Sequence, residues 1–267
     1  MRNLFWLLFS PAIKVSEPYE NSELIFPEEL QNKWLELHSD WFLELDHTTA
    51  LNDFLAIHLH SMRLGIYAEK ILLFFFHHSP HIELVWYNRQ IIENEITRTE
   101  IDFVIRFEDK LIHIELAVKF YLENHNGEWI GPNPRDTLKD KWDKVQSLQL
   151  PEAKREIEYH FPNEQVTSYF FVKGYLFTRN DNDTCQWIYK SELESFLSSG
   201  YRFALLEKPR LMADLTAYRG ETISKSICSK HILSDTKKAI AALSLSKKNQ
   251  LSYYIVEDGW PFLDDHR

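Results

Sequence analysis

Glycine is scarce in this chain, with seven in 267 residues against a usual frequency of ~7%. Those seven (Gly65, Gly127, Gly131, Gly174, Gly200, Gly220, Gly259) contain no Gly-x-Gly pair and no Gly-Lys-Ser or Gly-Lys-Thr. A P-loop and a dinucleotide fingerprint are therefore excluded, because both need close glycines to let the backbone approach phosphates. Gly-x-Ser-x-Gly and His-Glu-x-x-His are missing as well, which removes the common hydrolase elbow and the zincin helix. Two cysteines, Cys185 and Cys228, cannot build a disulfide framework or a four-cysteine zinc site. With no secretory pattern either, a reducing cytoplasm is the expected location. The one apolar run near the N-terminus, Leu4 to Phe9, stops at Ser10-Pro11. It falls short of the roughly 7–15 residues of a signal peptide core and of the ~20 residues of a membrane span. We read it as a short amphipathic helix docked on the core, and expect no membrane association. An excess of positive charge is also missing: 30 Lys and Arg stand against 40 Asp and Glu, a net charge of −10. There is thus no overall basic footprint for nucleic acid.

What is present is a globular composition, 44% apolar and 26% charged, too apolar for disorder. No repeat and no long linker divides the chain, so we expect a single domain over residues 1–267. Its core should span about 48–206, with helical elaborations at both ends. Apolar residues recur at helical spacing from Pro27 to Asp46 (Leu30, Trp34, Leu37, Trp41, Leu45), and again from Thr48 to about His77. The period then changes from 3.6 to 2 over residues 82–92, 100–108 and 111–122. Gly131-Pro-Asn-Pro134 breaks the chain before a helix expected to reach Leu150 on the stripe Leu138, Trp142, Val145, Leu148. Strands are expected at 167–178, 185–189 and 202–206, with a helix at 190–198 and a last one at 234–247. Such an order gives an α/β (α+β) fold with one central mixed β-sheet flanked by helices.

Four positions break the apolar logic. Glu69 lies three residues after Ile66 and four before Leu73, on the buried stripe of its helix. A carboxylate there must be paired, protonated or cation-bound; a structural ion pair is the plainer of these readings. Glu108-Asp-Lys110 is short enough for a hairpin link. If Asp109-Lys110 forms the turn, Asp102 faces Ala117, Glu100 faces Lys119 and Val104 faces Glu115. Asp102 would then be flanked diagonally, at about 7–8 Å, by Glu115 and Lys119 on one face. Two carboxylates so placed can converge on a hard, oxygen-seeking ion such as Mg²⁺. A solvated face carrying a Glu100–Lys119 pair explains the same pattern.

The order of these elements resembles the PD-(D/E)xK nuclease-like superfamily: a helix with a glutamate, a strand with an aspartate, then a strand with Glu and Lys. A closer likeness runs nearly end to end. Leu64-Gly-Ile-Tyr-Ala-Glu69, Thr99-Glu-Ile-Asp-Phe103, Glu115-Leu-Ala-Val-Lys-Phe-Tyr-Leu122 and Gly131-Pro-Asn-Pro-Arg-Asp136 resemble the bacterial family called domain of unknown function 1853. The resemblance implies a restriction-endonuclease-like core and a Mg²⁺ (or Mn²⁺) site. Asp102, Glu115 and Glu69 would be the metal and catalytic acids, with nucleic acid, DNA in the first instance, as partner. The lysine departs from the pattern: Ala117 stands two residues after Glu115, and Lys119 lies one pleat further, roughly 6.8 Å on. We expect Lys119 to take the lysine's role. Glu100 is an auxiliary candidate. So are Lys141 and Gln149, on a helix that resembles the one supplying a basic or amide side chain in such nucleases. A solvated face of Lys139, Lys141 and Lys144 is the plainer reading of that helix. His58 and His60 diverge on a helix, and His77-His78 suit a helix end; neither pair is expected to bind metal. A catalytically inactive nuclease-like module is the alternative function.

Overall fold

The computed structural model describes residues 1–13, 22–180, 183–193, 195, 202–206, 212, 240–245 and 250–261. They fall into two compact units: Met1–Lys119 with Lys139–Gly174, and Phe120–Leu138 with Tyr175–Arg267. Among the described residues no helix is long and apolar enough to cross a membrane.

The first unit begins with α1 (Arg2–Phe9), which buries Leu4, Trp6, Leu7 and Leu8 as the short docked helix expected. Helix α2 (Glu28–Asp46) inserts Trp34 among Phe26, Phe75, Phe76 and Phe107. The long helix expected from Thr48 is instead two, α3 (Ala50–His58) and α4 (Leu64–His78). Leu59 is extended and closes α3, and the Ser61 hydroxyl accepts a local bond from the Arg63 N–H. A serine bonded to nearby backbone competes with helix. The apolar stripe runs through the break without a helix beneath it, and Met62 is left exposed.

Strands β1 (Glu83–Glu93), β2 (Ile96–Phe107) and β3 (Lys110–Glu123) form an antiparallel meander, and β5 (Val166–Phe177) pairs with β3. Together with β4 (Trp129–Ile130) they make the central mixed five-stranded sheet. The β2–β3 turn lies one residue earlier than expected, at Glu108-Asp109, with φ of 50° and 58°. Both central residues in the left-handed region make this a type I′ turn, whose twist suits a two-residue hairpin. The register is therefore Phe107↔Lys110, Val104↔His113 and Phe103↔Ile114. The expected pairing of Val104 with Glu115 is thus replaced by Val104 with His113. Where β5 passes β3, a Cβ on Gly174 (φ +149°) would sit 1.6 Å from the Lys119 carbonyl oxygen, so only glycine fits.

After α5 (Leu138–Lys144) the helix widens into a π turn at Val145–Gln149 and continues as α6 (Leu150–His160), ten residues beyond the expected end. α6 packs Ala153 and Ile157 on Ile91, Val104 and Leu111. Both faces of the meander are thus covered, which overturns the solvated-face reading of β3: His113, Glu115 and Ala117 are all buried.

The second unit holds a four-stranded sheet in the order β6-β9-β8-β7, made by β6 (Cys185–Tyr189), β7 (Arg202–Leu206), β8 (Ile240–Leu245) and β9 (Gln250–Val256). The helix expected at 234–247 is contradicted over Ile240–Leu245, which pairs with both β7 and β9. An alanine-rich stretch favours helix locally, yet two-sided strand pairing overrides that preference. Residues 234–239, 246–247 and Cys228 lie outside the described residues. Of the helix expected at 190–198, Lys190–Glu192 forms a 3-10 turn and Leu193 and Ser195 are helical, while 194 and 196–198 lie outside the described residues.

Candidate active site

The ladder between β2 and β3 is regular from the turn to Phe103↔Ile114. One residue further, the Asp102 Oδ2 accepts the Leu116 N–H at 2.8 Å, so a side chain takes a main-chain donor. Asp102 and Glu115 are thereby brought side by side in a place withdrawn from water. Glu115 is 2% exposed. Burial and the neighbouring Glu115 charge push the Asp102 carboxyl well up, against the opposing pull of the Leu116 N–H and Lys141. Burial raises Glu115 too, offset in part by Lys141, Gln149 and Lys144.

Helix α5 and the π turn that follows it supply the groups that hold Glu115. Its Oε1 accepts from the Lys141 ammonium at 3.1 Å and from the Gln149 amide at 2.6 Å. Lys141 also donates to the Gln149 amide oxygen at 3.0 Å, closing a three-membered ring of hydrogen bonds. On a regular α-helix, residues eight apart point roughly 80° away from each other. The π turn absorbs one residue, so that Gln149 stands as if seven along, about 20° from Lys141. The reading of Lys141 as part of a solvated face is thus overturned, whereas Lys139 is exposed and pairs with Asp143 four residues on. The other oxygen of Glu115, Oε2, is buried and has no hydrogen-bond partner.

Glu69 comes from α4, whose Phe76 packs on Phe103. Its carboxylate is bound by the Tyr87 hydroxyl and lies 3.4 Å from the Lys70 ammonium. Its charge acts on both Glu100 and Asp102, raising each carboxyl. The helix acid is therefore within electrostatic reach of the strand acids. Glu100 is half-buried and pairs across β1 with Gln90. Lys119 is half-buried on β3, but the ammonium bonded to Glu115 is that of Lys141. Sequence reasoning missed Lys70 and Tyr87: Tyr87 reads as one residue of an alternating strand, and nothing local ties it to α4. A further surprise is His113, fully buried with both ring nitrogens unpartnered. Burial pulls its pKa down to about 3.

Among the described residues, no three His, Cys, Asp or Glu side chains group closely enough to hold a metal ion. Two carboxylates remain, one with a buried oxygen lacking a partner. That donor set suits Mg²⁺, which binds through one or two carboxylates and keeps waters or phosphate oxygens for the rest. It does not suit the closed four-ligand cage of a structural zinc.

The family model described as Domain of unknown function (DUF1853) matches residues 2–252. No curated protein and no solved structure matches the chain.

Proposed function

For a chain that belongs to the DUF1853 family, we propose a Mg²⁺-dependent phosphodiesterase acting on nucleic acid, DNA in the first instance, through a PD-(D/E)xK-like site. The observation that carries this reading is the Glu115 carboxylate, with one oxygen fixed by Lys141 and Gln149, the other buried and unpartnered, and its charge acting on Asp102. Two adjacent buried carboxylates are costly unless a proton or a cation joins them. Asp102 and Glu115 would hold the ion. Bound there, a divalent cation supplies an activated water and offsets charge on the phosphoryl oxygens. Glu69 would accept a hydrogen bond from a water on that ion. Lys141 takes the place of the pattern's lysine from outside the strand, and Ala117 leaves that side of β3 small. Lys119 is the second candidate ammonium.

A catalytically silent module of the same architecture is the second reading. The Ala117 departure and the net charge of −10 favour it. Calorimetric Mg²⁺ titration, run beside cleavage of labelled DNA and RNA oligonucleotides, separates the two. Binding and cleavage that Asp102→Asn abolishes support the enzyme, and binding without cleavage supports the module. If the wild type binds Mg²⁺ no better than Asp102→Asn does, the cation site itself is refuted.

A further inference from the structure

The Glu69 carboxylate is not held by its own helix alone. Tyr87, on β1, donates its hydroxyl to Glu69 Oε1. Lys70 donates to the same Tyr87 hydroxyl and lies 3.4 Å from Glu69 Oε1. The Lys70 ammonium also stands over the Tyr87 ring, 4.9 Å from its centroid. The ring is fixed from below: Tyr87 is the strand partner of Phe103, and the two rings lie 5.4 Å apart. Phe103 is the immediate neighbour of Asp102 in β2. A chain of donors therefore runs from ammonium to phenol to carboxylate, each bond polarising the next. Successive side chains of a strand leave opposite faces, so what ties the chain to the site is charge: Glu69 and Asp102 both act on the Tyr87 phenol.

The physical need for such a device follows from the local charge. Glu69, Glu100 and Asp102 all act on the Tyr87 phenol and hold it above its ordinary range, with burial the largest cause. The phenol keeps its proton at neutral pH and donates it to Glu69. Without a donor on one oxygen, the Glu69 side chain, about a quarter exposed, would turn away from Asp102 and Glu100. With Oε1 clamped, Oε2 keeps one position.

We propose that Tyr87, backed by Lys70, is a positioning residue that fixes Glu69 as the acceptor for a water on the cation held by Asp102 and Glu115. This rests on the metal-dependent reading of the site. Partners that orient the groups around a metal typically contribute 10–100-fold in affinity or activity, and Tyr87 belongs to that class. It touches neither the ion nor the substrate.

The test is Tyr87→Phe, which changes no charge and keeps the ring on Phe103. Magnesium affinity is read by calorimetry on the full chain, together with Glu69→Gln and the double variant. The expected result is a dissociation constant about 10-fold higher for Tyr87→Phe. In the Glu69→Gln background the added change should have no further effect, as a positioning role requires. Wild-type affinity in Tyr87→Phe, or a full effect in the absence of the Glu69 carboxylate, overturns the proposal. A second measurement needs no metal: a crystal structure of metal-free Tyr87→Phe should show the Glu69 carboxylate turned from the position it holds in the wild type. An unmoved carboxylate refutes the clamp. A displaced carboxylate in a protein whose wild type binds no Mg²⁺ refutes the cation reading instead, and the water-orienting role with it.

Discussion

Lys141 and Glu115, 26 residues apart in the chain, meet at 3.1 Å with side chains only 18% and 3% exposed. The pair joins α5 to a strand carboxylate whose second oxygen is buried without a partner. Each member prevents the other from standing as a lone buried charge, and their separation in sequence means that only the folded sheet and helix bring them together.

Lys141→Met should therefore do two things at once. Leaving Glu115 without its counter-charge should destabilise the fold by about 3 kcal/mol, the scale for breaking a buried pair. Removing a transition-state cation should lower Mg²⁺-dependent cleavage about 10²-fold or more. Lys119→Met should change stability by less than ~1 kcal/mol and cleavage by less than Lys141→Met does. Thermal unfolding and turnover on one oligonucleotide rank the two lysines. A larger catalytic loss at Lys119 would return the lysine's role to β3. Mg²⁺ should also raise the unfolding temperature of Lys141→Met more than that of the wild type, because the ion then supplies the missing positive charge.

His113 should be a net cost to stability. Its two ring nitrogens are buried without partners, so His113→Leu should stabilise the fold by about 1–2 kcal/mol at neutral pH. The pH dependence has a definite sign. A folded pKa near 3, below the ordinary 6.5, means that the unfolded chain binds more protons between those values. Wild-type stability then falls as pH drops through that window. The advantage of His113→Leu should accordingly widen from pH 7.5 to pH 5, as measured by urea midpoints. A constant difference would show that His113 finds a partner.

Lys173 acts with the same sign in a more alkaline window. It is 1% exposed on β5, with its ammonium on the Ser10 carbonyl and, at 2.7 Å, on Gln31 Oε1. Burial pulls its pKa from 10.5 to about 7. Between those values the unfolded chain again binds more protons, so stability should rise with pH from 7 to 10.5, by at most ~1.4 kcal/mol per unit. Lys173→Met removes the titration and should lack that rise, although it costs the bonds to Ser10 and Gln31. Parallel slopes for the two proteins would place a charged ammonium in the core.

Much was legible locally. Period-2 alternation located β2 and β3, and the stripe of α2 followed from 3.6-residue spacing, because these periods are properties of a single element. Glu69, Asp102 and Glu115 stood out as carboxylates in apolar company, and the structure sets Asp102 within the field of the other two. The α3–α4 break was less legible, because an apolar stripe can continue through a segment that its own serine unwinds. The hairpin register slipped by one residue because Glu108-Asp109 and Asp109-Lys110 are equally short links, and only the backbone decides which pair enters the left-handed region.

What the sequence determined by itself was the kind of element and the identity of its misplaced charges, since both follow from residue type and spacing. What only the tertiary structure decided was partnership. Ile240–Leu245 became a strand because β7 and β9 offered it hydrogen bonds on both edges. Lys141 became the partner of Glu115 because a π turn and the packing of α6 on Val104 and Leu111 aimed it there. Tyr87 reached Glu69 because its ring rests on Phe103. Contacts between residues far apart in the chain depend on chain closure and packing, which no local window contains.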